Sequence, residues 1–274
     1  MSDAPYKSLL RLIRSAAAPE PGMARITAAL IAGALVHSVF AVAVLSMIWA
    51  MYFGMQRSFG TVAAPYVWLA NTLLILQFPL LHSALLSKRG TQVVAKLVPG
   101  PHGGTLSTTT YAAIASLQLA CLFLLWTPSG IVWWQATGTG LTALTVAYAA
   151  AWLLLIKASY DAGAEVQSGA LGWMSLMANK KPVFPDMPTT GLFRIIRQPI
   201  YVAFALTLWL VPVWTPDQLL LALLLTAYCL AAPRLKERRF ARRYGQRFAE
   251  YRAETPYIVP SLSPRRSDAR AETK

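Results

Sequence analysis

Residues 26–53 read ITAALIAGALVHSVFAVAVLSMIWAMYF. The stretch carries no Asp, Glu, Lys or Arg, and its apolar residues form a block rather than a stripe. A helix needs about 20 apolar residues to cross the hydrocarbon core of a bilayer. This segment meets that length, so it points to an integral membrane protein. It is too long for a signal peptide and lacks a small-residue cleavage site after it, so it reads as a retained span.

Further blocks follow at 62–86, 111–126 and 141–160. Two shorter ones, 199–214 and 218–232, are separated only by TPD and read as a helical hairpin turning near the far membrane face. Of the 274 residues, 56% are hydrophobic and 13% charged. A soluble domain carries about 25% charged residues, and the blocks leave no room for a separate soluble domain. The expected fold is therefore all-α and polytopic, with about six transmembrane helices and an amphipathic tail helix. Residues 1–25 would form a cytoplasmic segment, 26–260 a single membrane domain and 261–274, which close on SPRRSDARAETK, a disordered tail.

Basic residues test that count. Lys7, Arg11, Arg14 and Arg25 precede the first span, and Arg57 alone sits between the first two. Lys88, Arg89 and Lys96 follow the second span, and the connection 127–140 has no charge. Lys157, Lys180, Lys181, Arg194 and Arg197 lie around and after the end of the fourth, and Asp217 is the hairpin's one charge. The stretch from Arg234 onward holds 12 of the 25 basic residues. With six spans and both termini cytoplasmic, in a bacterial inner membrane, only Arg57 falls outside. The net charge of +14 is thus a topology signal rather than a nucleic-acid footprint. Cys121 and Cys229 sit in apolar blocks and read as small hydrophobes. No P-loop, GxGxxG, HExxH or GxSxG occurs, and no metal site is expected from such motifs.

The most polar stretch outside the tail, 161–198, runs into TTGLFRIIRQPIY (189–201). Pro199 suits the first position of a helix, where its missing N–H costs nothing. The free N–H groups there, beside Arg194 and Arg197, suit a carboxylate or phosphate; alternatively these arginines anchor the helix to lipid headgroups. The tail reads RLKERRFARRYGQRFAEYRA (234–253). At 100° per residue, Glu237, Phe240, Ala241, Tyr244, Phe248 and Tyr251 share one face, with Arg238, Arg239, Arg242 and Arg243 opposite. Gly245 invites a kink. A carboxylate on a buried face needs a partner: Arg194 or Arg197 in a salt bridge, or a cationic ligand also held by aromatic rings. S-adenosylmethionine suits both halves. It has a carboxylate for the arginine and helix start, an ammonium for Glu237, and a sulfonium and adenine for the rings.

At these residues the chain resembles the membrane methyltransferases typified by isoprenylcysteine carboxyl methyltransferase and phosphatidylethanolamine methyltransferase. Their pattern is roughly GxYxxxRHPxY, a hairpin, a paired acid, then FGxxYxxYxxxxP. Here it reads GLFRIIRQPIY (191–201), the hairpin, then KERRFARRYGQRFAEYRAETP (236–256). Upstream, QFPLLHSALLSK (77–88), TTTYAAIASLQLACLFLLWTPSGIVWW (108–134) and YDAGAEVQ (160–167, through Asp161 and Gln167) are similar to the methanethiol S-methyltransferase group. That group also resembles denitrification-associated membrane proteins and the haem-containing zeta-carotene isomerase. The resemblance implies S-adenosylmethionine enclosed by the C-terminal half and a substrate entering from the lipid. It implies a cofactor pocket lined by Gly191, Phe193, Arg197, Gln198, Tyr201 and Glu237, with Tyr244 and Tyr251 closing it. Two positions depart from the pattern: Gln198 stands where the family has histidine, and Lys236 where it has the first acid.

On that basis Arg197 would bind the cofactor carboxylate and Glu237 its ammonium, with Arg194 or Arg238 steadying a thiolate. A small thiol such as methanethiol and an isoprenylated cysteine both remain open as acceptor. His37 and His82 lie within apolar blocks. They read either as bundle hydrogen-bonders or as haem ligands, the latter making an isomerase-like or denitrification accessory protein; a catalytically silent scaffold is the third class. The tryptophans Trp49, Trp126, Trp133, Trp134 and Trp214 read as a belt at the outer interface. Ala170, Trp173, Met174 and Met177 have helical spacing and read as an amphipathic helix lying in the interface.

Overall fold

Backbone N–H and C=O groups inside a bilayer find no water, so each apolar block must satisfy them within a helix. The computed structural model describes residues 5–98 and 100–260, and its regular secondary structure is almost all helix. Five are long and apolar enough to cross a membrane: α2 (Met23–Tyr52), α3 (Val67–Leu85), α5 (Gly103–Leu124), α6 (Gly138–Asp161) and α10 (Pro216–Tyr244). Shorter ones are α1 (Pro5–Ala17), α4 (Lys88–Lys96), α7 (Ala164–Gln167), α8 (Ala170–Met177), α9 (Pro199–Trp209) and α11 (Gln246–Glu254). The chain is an all-α polytopic membrane protein. The disordered tail expected at 261–274 lies outside the described residues.

The hairpin is present but unequal. At a rise of about 1.5 Å per residue, the 11 residues of α9 do not cross a bilayer. Instead of continuing as helix to residue 214, the chain extends after Leu210 into β2 (Val213–Trp214), which pairs antiparallel with β1 (Trp134–Gln135). Five long helices and one short one thus replace the six spans. The tail helix is also not separate. α10 runs unbroken for 29 residues through Pro233 and into the basic segment, because Leu, Lys, Glu, Arg and Ala all favour helix on either side of the proline.

The core lies near the far end, where Met51, Met55, Phe123, Trp126, Leu208, Leu221 and Leu225 are buried together. Asp217, fully buried, ties three segments there. It accepts from the Trp126 indole at 3.1 Å, the Gln56 amide at 2.7 Å and the Ser129 N–H at 3.0 Å. Trp126 is therefore a core residue and not part of a belt, whereas Trp49, Trp133 and Trp134 are exposed.

α8 does not lie in the interface. It packs against α2 and α5 with Ala170, Leu171, Gly172, Ser175 and Leu176 buried. The close approach is made by small residues: the Thr109 hydroxyl donates to the Gly169 carbonyl at 2.6 Å and accepts from the Trp173 N–H at 2.9 Å. Buried neighbours on both sides left this helix too apolar for an interfacial role.

Candidate active site

The site is built where the basic ends of α6, α9 and α10 meet. A 3₁₀ turn, Gly191–Arg194, sits on the end of α6. Gly191 adopts φ +60°, and a Cβ there would lie 2.3 Å from the Asp161 carboxylate. Asp161 in turn accepts the Leu192 N–H at 2.8 Å and pairs with Lys157. This seat aims Phe193 inward and brings Gln198 to the position just before Pro199, which opens α9 as expected.

Arg197 points to α10. Its Nε donates to Glu237 Oε1 at 2.8 Å, and the Gln198 amide donates to the same oxygen at 2.9 Å. The Arg197 Nη1 donates to the carbonyls of Arg252 (3.0 Å) and Thr255, and its backbone N–H donates to the Pro256 carbonyl at 2.9 Å. Its guanidinium also lies 5.3 Å from the Tyr257 ring centre. Burial first, and the Glu237 carboxylate second, push the Tyr257 hydroxyl above its ordinary value. Glu237 is thus the acceptor at which two segments about 40 residues apart converge. Of the two arginines weighed as its partner, Arg197 is the one that meets it.

Gly245 (φ +52°) ends α10 and turns the chain into α11. The fold-back packs Phe248 and Tyr251 on Met187, and the Tyr251 hydroxyl donates to the Phe193 carbonyl at 2.7 Å. Asp186 pairs with Arg247 at 2.7 Å, which clasps the strap before the 3₁₀ turn to α11. Burial works to raise the Asp186 carboxyl, but the Met187 N–H and the Arg247 and Arg243 guanidiniums outweigh it and hold it below its usual range.

Pro188, Phe193, Arg197, Gln198, Lys236, Glu237, Phe240, Phe248 and Tyr251 enclose one cavity of about 10 Å³, room for about one water. The Gln198 side-chain carbonyl oxygen is buried there with no hydrogen-bond partner among the described residues. The Lys236 ammonium lies 5.2 Å from the Phe193 ring centre, 5.5 Å from that of Phe240 and 6.0 Å from that of Tyr201.

Of the expected pocket residues, Phe193, Arg197, Gln198, Glu237 and Tyr251 share this cavity. Tyr201 contributes a ring to the Lys236 surroundings. Gly191 does not line the cavity; it lies against Asp161 and supports the turn. Tyr244 meets Phe240 edge to face, flanked by Arg243 and Arg247, outside the lining. Arg194 and Arg238 are exposed. Phe240 and Phe248, which the sequence places on the Glu237 face without assigning them to the pocket, line it too, as do Pro188 and Lys236. Phe240 was within reach, being four residues from Lys236 and so on its face; Pro188 carries no local signal.

The histidines are engaged elsewhere. His37 Nε2 accepts from the Trp173 indole at 3.1 Å, and the Tyr111 hydroxyl lies 2.9 Å from the His82 ring nitrogens. These are hydrogen bonds between helices, and they fit the bundle reading of both residues.

No family model matches the chain, and no solved structure matches it. Among curated proteins, the methanethiol S-methyltransferase of Pseudomonas deceptionensis is 29% identical over 175 residues, 64% of this chain and 65% of that protein. Methanethiol S-methyltransferase 1 of Bradyrhizobium diazoefficiens is 29% identical over 170 residues, 61% of this chain and 58% of the relative. The enzyme of that name from Mycobacterium tuberculosis is 25% identical over 170 residues, 61% and 68% of the two chains. The chain spans less than two thirds of the length of the first two relatives. It is therefore an integral membrane protein similar to the methanethiol S-methyltransferases, the branch to which its motifs pointed.

Proposed function

We propose that this protein is a membrane methyltransferase that uses S-adenosylmethionine and S-methylates a small, lipid-permeable thiol such as methanethiol. One observation carries the reading: Glu237 receives Arg197 and Gln198 inside a cavity that also holds an aromatic cage. The names of the relatives support the reaction class.

The residues fit the donor by chemistry. The Glu237 carboxylate and the unpaired Gln198 carbonyl are two acceptors for an ammonium group. Arg197 is a guanidinium able to pair a carboxylate, though Nε and Nη1 are already engaged. Phe193, Phe240 and Tyr201 present ring faces to a cation. The donor, when bound, supplies a methyl group activated on a sulfonium. A thiolate is already a strong nucleophile, so the chain's own residues need only align, exclude water and keep the site positive. Gln198 orients Glu237 but, unlike a histidine, takes no proton. An apolar thiol reaches such a site from the bilayer, and the basic end of the bundle would face the cytoplasm.

The test is calorimetry of detergent-purified protein with S-adenosylmethionine. Glu237→Gln is expected to weaken binding by about tenfold, the scale of a lost charge-assisted hydrogen bond. Unchanged affinity removes Glu237 from the site, and no binding by the wild type removes the donor. Methanethiol and a farnesylated cysteine offered as acceptors then separate the two substrate classes.

A further inference from the structure

Lys236 is the one charged group in the cavity for which the proposed reaction has no use. It follows the apolar part of α10 and precedes Glu237, at the position where the resembling families carry an acid. Among the described residues it makes neither a hydrogen bond nor an ion pair. What holds its charge is the attraction of the neighbouring Glu237 carboxylate and the three ring faces of Phe193, Phe240 and Tyr201, contributed by the 3₁₀ turn, α10 and α9. An ammonium against several ring faces is how proteins recognise cationic ligands whose charge is spread over methyl groups. A sulfonium belongs to that class.

The cavity beside Lys236 measures about 10 Å³, whereas sites for ligands of drug or cofactor size run to about 300–1,000 Å³. The donor therefore does not enter this arrangement without something leaving. Glu237 is pinned by two donors, Phe193 is fastened through its carbonyl to Tyr251, and Arg197 is held by α11. Lys236 is on a flexible four-carbon stem, with three ring faces and the attraction of Glu237 to release; its departure vacates the cage for a cationic centre, not room for the whole donor. Like charges also repel, so a protonated Lys236 and a sulfonium do not share one cage.

We infer that Lys236 is an internal stand-in for the donor's cationic centre: it fills the cage of Phe193, Phe240 and Tyr201, and the donor binds by displacing it. The inference rests on the methyl-donor reading above. It makes binding an exchange of one cation for another, so the resting site stays closed and dry, and affinity is lower than the same cage would give if empty. A neutral side chain of similar length at 236 removes the competitor, whereas arginine keeps a cation that stacks on rings.

Two measurements test it. In calorimetry with S-adenosylmethionine, Lys236→Met is expected to bind about tenfold tighter than wild type, the scale of a desolvated cation–ring contact. Lys236→Arg is expected to stay within about threefold of wild type. Circular dichroism checks that each variant is folded. The second uses the wild-type chain with its lysines reductively ¹³C-dimethylated. One methyl signal, missing from Lys236→Arg, should lie upfield through ring currents and move to the exposed-lysine position when S-adenosylmethionine is added. If wild type binds the donor while Lys236→Met binds no tighter, or the shifted signal is absent or stays put, the Lys236 inference falls and the methyl-donor reading stands. If neither wild type nor Lys236→Met binds the donor, both fall together.

Discussion

At the scale of single residues, the site depends on two positions with little latitude. Gly191 holds φ +60° with the Asp161 carboxylate where a Cβ would be. Gly191→Ala meets both the left-handed backbone penalty, about 1–2 kcal/mol, and a contact that has to be relieved by moving Asp161. It is expected to lower thermal stability by about 2 kcal/mol or more, read from the unfolding midpoint in detergent. An unchanged midpoint would show that the turn is not seated on Asp161. Gln198 is the second. Its amide shares Glu237 Oε1 with Arg197 while its carbonyl is unpaired. Gln198→Leu removes both groups without changing the volume much. It is expected to weaken donor binding by about three- to tenfold in the same calorimetry that tests Glu237.

At the scale of elements, α11 closes the cavity by folding back at Gly245 and is held both by the buried Phe248 and Tyr251 and by polar bonds. Tyr251→Phe removes the hydroxyl that caps the Phe193 carbonyl. The expected cost is about 1 kcal/mol, visible as faster amide exchange across 246–254. The Asp186–Arg247 pair fastens the same helix to the preceding strap. Asp186 is held below its ordinary range in the fold, so its contribution is present at neutral pH. It is lost as pH falls through that lowered value. Limited proteolysis near α11 should therefore quicken in acid, and Asp186→Asn should show the quicker rate already at neutral pH. Because the pair is partly exposed, the effect is expected to be small and to shrink further in high salt.

At the scale of the whole molecule, the two ends of the bundle have different chemistry. The far end is closed by Asp217, which is fully buried and joins α10 to the loops after α2 and α5. Asp217→Ala would strand an indole N–H, a backbone N–H and an amide at once. It is expected to cost about 3 kcal/mol or more, read as lower yield and a lower unfolding midpoint in detergent. This region lies away from the cavity, so residual folded protein should keep wild-type affinity for the donor. The basic end carries the proposed site, which a donor would reach from water and an acceptor from lipid.

The amino-acid sequence by itself determined what composition and spacing can carry. The apolar blocks imposed helices, because a bilayer leaves the backbone no other partner. The 3.6-residue period put Glu237 and Phe240 on one face, and the family resemblance marked Arg197 and Gln198; Phe248 and Tyr251 reach the cavity because the chain folds back at Gly245. Tertiary structure decided which faces meet. That α8 is buried, that α9 stops at Trp209 to let β2 pair with β1, and that Trp126 lies inside all follow from neighbours far along the chain. Lys236 shows the limit most clearly. One residue from Glu237, it looks in sequence like a lost acid on a solvated basic helix. Only the approach of α9 and the 3₁₀ turn places rings around its charge, and such contacts between segments leave no local trace in the chain.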